Sequence, residues 1–228
     1  MFRRVGPAIL ILLCAIAIGV ALVPRVAPEF VDQPFKPADP DGEAAFERWL
    51  VAGPDRASEF QKFETYLRSV GVGDVVPAWQ LTRIDGYHAA ECVLDPFAVP
   101  PDDLWPNIVP ALRLVRDEVI PTVGEVEVRS SYRTPEGNSC LRGVSRSRHL
   151  TFSALDLVTA DRQRGEQLYR KLCAMHAQAG SRSRMGLGAY FDPQRPKLGT
   201  GRFHIDGTGY RSWGHSYSAA SSPCPNFS

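Results

Sequence analysis

Apolar residues recur at helical spacing in four places along the chain. Phe46, Trp49 and Leu50 share one face, followed by Phe60, Phe63, Leu67 and Val70, and Gly71 and Gly73 close the second pattern. Val75 to Leu81 is an apolar stretch suited to burial against a larger domain. Trp105 to Val119 reads as another helix, with Ile108, Leu112, Val115 and Val119 inward, and Leu168, Leu172 and Met175 mark a further one before Gly180. Between them the period shortens to two. Val126 and Val128 alternate with Glu125, Glu127 and Arg129, which predicts a half-buried strand. Ala154 to Val158, Met185 to Phe191 and Arg202 to Asp206 read as further strands, and 133–148, rich in Gly, Ser and Arg, reads as a loop. Helices segregated from a small antiparallel sheet predict an α+β fold.

The N-terminus follows a different pattern. Arg3 and Arg4 precede an apolar run from Ala8 to Val23, with Pro24 and Arg25 after it. Residues 1–25 therefore read as an export signal, either an uncleaved signal anchor or a cleaved signal peptide. The first would anchor the chain to the inner membrane, facing the periplasm. Prolines at 24, 28, 34, 37 and 40 make 26–42 a semi-rigid linker. The remainder divides into a helical segment at 43–82, a main domain at 83–215 and a small polar tail at 216–228. That tail is expected to be flexible unless Cys224 ties it down.

A formal net charge of +1 over 228 residues gives no footprint for nucleic acid. Export changes how the cysteines are read. Cys92, Cys140, Cys173 and Cys224 would meet an oxidising compartment, where four thiols allow three pairings. Cys92–Cys140 with Cys173–Cys224 is the preferred one, because the first bridge would hold the loop that leads to His149.

The chemistry concentrates in two runs. Ser147-Arg148-His149-Leu150-Thr151-Phe152-Ser153-Ala154-Leu155-Asp156 places an imidazole seven residues before a carboxylate in an apolar strand. A buried carboxylate is costly unless it is paired or bound to a metal. Phe203-His204-Ile205-Asp206 adds a second imidazole, and strand alternation puts His204 and Asp206 on one face. His149, Asp156 and His204 form a common three-ligand zinc set that leaves a fourth position open. Asp206 would hold His204 by its other ring nitrogen, as carboxylates behind a metal-binding histidine do. Ser147 reads as a loop-organising hydroxyl, and His176, beside Tyr169 and Cys173 on a helix, as structural.

Three further runs stand in the same order: Ser130-Ser131-Tyr132-Arg133-Thr134-Pro135, then Gly186-Leu187-Gly188-Ala189-Tyr190-Phe191, then the span from His204 through Gly209 to Trp213-Gly214. Over about residues 87 to 214 the chain resembles the M15 family of zinc D-Ala-D-Ala metallopeptidases. It departs from that pattern at Phe152 and at Ser131, where the family favours glycine. The resemblance implies a hedgehog/D-Ala-D-Ala-peptidase-like fold with a zinc cleft, acting on peptide bonds of peptidoglycan. It also implies that Arg133 faces the zinc and contacts substrate, by gripping a carboxylate or stabilising an oxyanion. Tyr190, Arg211 and Trp213 match positions near the cleft. Many members carry Glu or His three residues before the last ligand, and here that position is Gly201. Asp206 is then the nearest general base, followed by His215 and His88. A second class of function fits the same residues: a binding module that keeps zinc but has lost turnover, as in the related hedgehog signalling domains.

Overall fold

In a computed structural model the architecture is described for residues 39–84, 86–196 and 199–227, the side chains of 86–88 excepted. The export segment expected at 1–25 and most of the linker lie outside the described residues. Among the described residues no helix is long and apolar enough to cross a membrane.

Among the described residues seven α-helices and five strands follow in chain order. The first two, α1 (Glu43–Val51) and α2 (Arg56–Ser69), bury the aromatic stripes predicted for them. Phe46 meets Phe60 and Phe97 with ring centroids 4.9 and 5.5 Å apart, and Phe63 meets Trp105 at 5.4 Å. These helices are part of the main core, since residues from 39 onward belong to one unit. The linker likewise ends earlier than expected. Asp41 is buried, its carbonyl accepts a 2.7 Å hydrogen bond from Arg83 Nε, and its carboxylate pairs with Arg129.

After the short α3 (Gly86–Glu91) comes one helical run across 102–123. A 3₁₀ stretch (Asp102–Ile108) leads into α4 (Val109–Leu114), a π-helical turn (Val115–Val119) and α5 (Ile120–Val123). Pro106, Pro110 and Pro121 interrupt its hydrogen-bond ladder, because each lacks an N–H donor. Gly124, at φ +85°, ends it. The α6 helix (Pro135–Cys140) lies within the segment expected to be wholly loop, and α7 (Glu166–Ala179) matches the amphipathic pattern before Gly180.

The strands are β1 (Val126–Ser130), β2 (Ala154–Thr159), β3 (Gly186–Ala189), β4 (Phe203–Asp206) and β5 (Arg211–Trp213), in the order β1-β2-β4-β3-β5. The sheet is mixed, not antiparallel throughout. A tight turn reverses the chain after β4, so β5 runs against β4 and parallel to its neighbour β3. Leu155, Leu157, Leu187, Phe203 and Ile205 project from one face into the core, towards the side where α4 and α7 pack.

Both preferred disulfides are present, Cys92–Cys140 and Cys173–Cys224. The second pins the C-terminal segment to α7. Phe227 packs on Phe191 at 6.0 Å, and two 3₁₀ turns (Ala219–Ser221, Cys224–Asn226) order 216–227 in place of a flexible tail.

Candidate metal centre

The sheet's second face carries the chemistry in two rows. Register pairs Ser130 with Asp156, Asp156 with His204, His204 with Gly188, and Gly188 with Trp213, a row that crosses all five strands. Two residues along, Ala154, Asp206, Gly186 and Arg211 form the next row on the same face. The glycines are required by what lies beside them. A Cβ on Gly188 would stand 2.8 Å from His204 Cβ and 2.9 Å from the Trp213 indole. One on Gly186 would stand 2.7 Å from Arg211 Nη1.

The third candidate ligand, His149, arrives from a turn. Within α6, Asn138 is buried, its backbone carbonyl accepting from Gly143 N at 2.8 Å and its side-chain amide donating to Val144 O at 3.2 Å. Ser147 caps the following turn (Arg148–Thr151), its Oγ accepting from His149 N, which confirms the role expected of that hydroxyl. Phe152 then takes a left-handed backbone at φ 49°, ψ 43°, the conformation that favours glycine. Its ring is fully buried and meets Phe63 at 5.9 Å, so core packing offsets the backbone cost.

His149, Asp156 and His204 are all buried, and one potential ligand atom from each lies within 4.8 Å of the others. His149 Nδ1 donates to the Ser131 carbonyl at 2.5 Å, which leaves Nε2 as an acceptor 3.4 Å from Asp156 Oδ2. His204 points Nδ1 at Asp156 Oδ1 (3.1 Å) and Nε2 at Asp206 Oδ2 (3.2 Å). Arg133 Nη2 and Arg202 Nη2 both donate to Asp156 Oδ2, at 2.9 and 2.7 Å. Tyr190, half-buried, lines the same cleft.

The electrostatics follow from burial and these partners. Loss of water, reinforced by Arg133, lowers the His149 pKa to about 4, so its imidazole is neutral. Burial disfavours the Asp156 anion, but Arg202 above all, together with the His204 imidazole, outweighs it and holds the carboxyl well below its usual range. Burial also opposes charge on His204, yet Asp156 and Asp206 raise its pKa. Two imidazoles and an anionic carboxylate, each steered by a partner behind it, suit a divalent cation of intermediate softness. The three side chains can hold a metal ion.

Asp206 occupies a different place. It is fully buried behind His204 and does not line the cleft. Arg211 grips it with two nitrogens (2.7 and 3.1 Å), and the Thr208 amide and hydroxyl donate to it at 2.9 and 2.6 Å. Burial works against its charge, but His204, Arg211 and Thr208 keep its pKa far below the usual carboxylate value. This is the geometry of a side chain that orients an imidazole. At Gly201, φ is +78° and the Gln163 carbonyl occupies the space a Cβ would need, so no side chain can enter there.

His215 lines the cleft, with Nε2 4.0 Å from Asp192 Oδ2, while the His88 side chain lies outside the described residues. His176 is structural, its Nε2 3.1 Å from Met185 O and its ring stacked on Tyr210 at 4.2 Å. Arg202 was not anticipated. It stands two residues before His204, so strand alternation already assigned it to the site face.

A scan against protein-family models found no match, and searches of curated proteins and of solved structures returned no similar protein.

Proposed function

We propose that the chain is a zinc-dependent peptidase that hydrolyses peptide bonds in peptidoglycan stem peptides or cross-links. The observation that carries this reading is the trio His149, Asp156 and His204, buried together at the floor of a cleft of about 720 Å³. The cleft is of the size small ligands fill. The order of motifs from Ser130 to Gly214, similar to that of M15 metallopeptidases, supplies the substrate class. The two disulfides accord with an extracytoplasmic location.

His149 Nε2, Asp156 and His204 Nδ1 would hold the ion. A zinc ion bound there supplies a Lewis acid for the scissile carbonyl and lowers the pKa of water towards neutrality. Ser131 O and Asp206 fix the two imidazoles in the orientation this needs. Arg133 and Arg202 share the charge of Asp156 and stand ready to meet a substrate carboxylate or a developing oxyanion. Tyr190 shapes the wall beside them. Asp206 is tied to Arg211 and Thr208, so the proton-accepting role passes to His215, the cleft imidazole that is not a ligand.

One observation favours a second reading, a zinc-containing cell-wall-binding module without turnover. The position from which many M15 members supply a base is Gly201, closed to any side chain. Digestion of purified peptidoglycan with and without chelator, followed by mass spectrometry, separates the two. The peptidase reading expects new termini that vanish with chelator and return with zinc. Chelator-sensitive binding without products would establish the module instead.

A further inference from the structure

The chain's net charge is +1, yet the cleft wall carries six arginines, Arg133, Arg142, Arg146, Arg148, Arg202 and Arg211, against one carboxylate, Asp156. They divide into two groups. Arg133 and Arg202 pair with Asp156, and Arg211 pairs with Asp206. Arg142, Arg146 and Arg148 are exposed, and none forms an ion pair with a carboxylate among the described residues. All three come from the segment between Cys140 and His149. One end is tied to Cys92 and the other runs into a metal-site residue, so the segment is held at the mouth of the cleft. Beside them two apolar side chains stand open to solvent, Val144 at 66% and Tyr217 at 74% exposure.

Like charges gathered in a concave surface repel one another and cost stability unless an anion completes them. We infer that Arg142, Arg146 and Arg148 form a second anion subsite, which selects short peptides with an acidic side chain displaced from the bond at the metal centre. The inference rests on the peptidase reading and narrows its substrate class. Guanidinium groups suit a carboxylate held by paired hydrogen bonds. The apolar neighbours suit the alkyl part of a peptide, whereas a nucleic acid or polyphosphate would bring no partner for Val144. The cleft's size also matches a few residues of extended chain, not a duplex.

The test uses the full-length, zinc-loaded protein and two synthetic pentapeptides, alike except that one acidic side chain is a carboxylate in the first and a carboxamide in the second. Calorimetric titration should show the acid form binding roughly 10–100-fold more tightly at low salt, as charge-assisted hydrogen bonds imply. The ratio should shrink as salt is raised. In the triple variant R142Q/R146Q/R148Q the ratio should approach one while zinc content stays at the wild-type level. Equal affinities in the wild-type protein overturn the subsite. So does displacement of the acid peptide by inorganic phosphate at concentrations far below those needed with acetate, because the ligand class is then phosphate. Failure of the two readings is distinguishable. Discrimination in binding without cleavage of either peptide removes the peptidase and keeps the subsite. Cleavage of both with equal affinity does the reverse.

Discussion

His204 is held on four sides, and each contact gives it a separate reason to point its Nδ1 at Asp156. Asp206 takes the far nitrogen, Trp213 packs edge-on at 4.9 Å, His149 stands at 5.1 Å, and Gly188 leaves the space behind Cβ. Gly188→Ala should therefore push the imidazole off position. Zinc content measured on the purified variant should fall below one per chain although the fold persists by circular dichroism. Asp206→Asn keeps the shape and loses the charge, so zinc affinity should drop by roughly 10–100-fold in a chelator competition. His215→Gln should leave zinc in place and lower turnover by roughly 10²–10⁴-fold. Full activity in that variant would return the search for a base to His88. The candidate ligand trio was legible from sequence because the flanking runs, from Ser130-Ser131-Tyr132-Arg133 to Trp213-Gly214, resemble an M15 pattern; the spacing of His149 and Asp156 alone is a weak signal, since both residue types are common. The function of Asp206 was only half legible. Sequence put it beside His204, but Arg211, which with the adjacent Thr208 closes it off from the cleft, reaches it across β3 through a strand pairing that no local pattern announces.

At the scale of elements, the segment from α6 to β2 decides how the site opens. It is short of apolar residues, and its order comes from Asn138, Ser147 and the bridge to Cys92. Cys140→Ser, with Cys92→Ser to remove the spare thiol, should cost about 2–4 kcal/mol in chemical denaturation without reductant. It should also weaken the acid-peptide preference more than it weakens zinc binding. The long helices were readable because their apolar period runs for many residues, and the central strands because each is a short, wholly buried run. The strand β5 was not readable, having three residues and no alternation of its own, and it joins the sheet through a parallel pairing set by β4. The π-helical turn at Val115–Val119 likewise has no signature in the apolar spacing, which fits an α-helix equally well.

For the molecule as a whole, the aromatic helices at the N-terminal end and the disulfide-pinned C-terminal end close on one sheet, so distant substitutions report on global stability. His176 is the clearest case. Burial lowers its pKa in the folded protein, while in the unfolded chain it titrates near its ordinary value of about 6.5. The unfolded state therefore takes up the proton first as pH falls. The stability this site contributes is fully present above about pH 6.5 and is lost as pH drops through the lowered folded value. Wild-type and His176→Gln proteins compared by denaturation in chelator should differ in slope below that pH, the variant being flatter. All of this surrounds one claim, that His149, Asp156 and His204 together hold a single metal ion. Elemental analysis of the purified full chain, set beside His149→Ala, tests it most directly. One zinc per chain in the wild type and none in the variant is the predicted result, and full zinc in His149→Ala, or no bound metal in a wild type offered excess zinc, would contradict it.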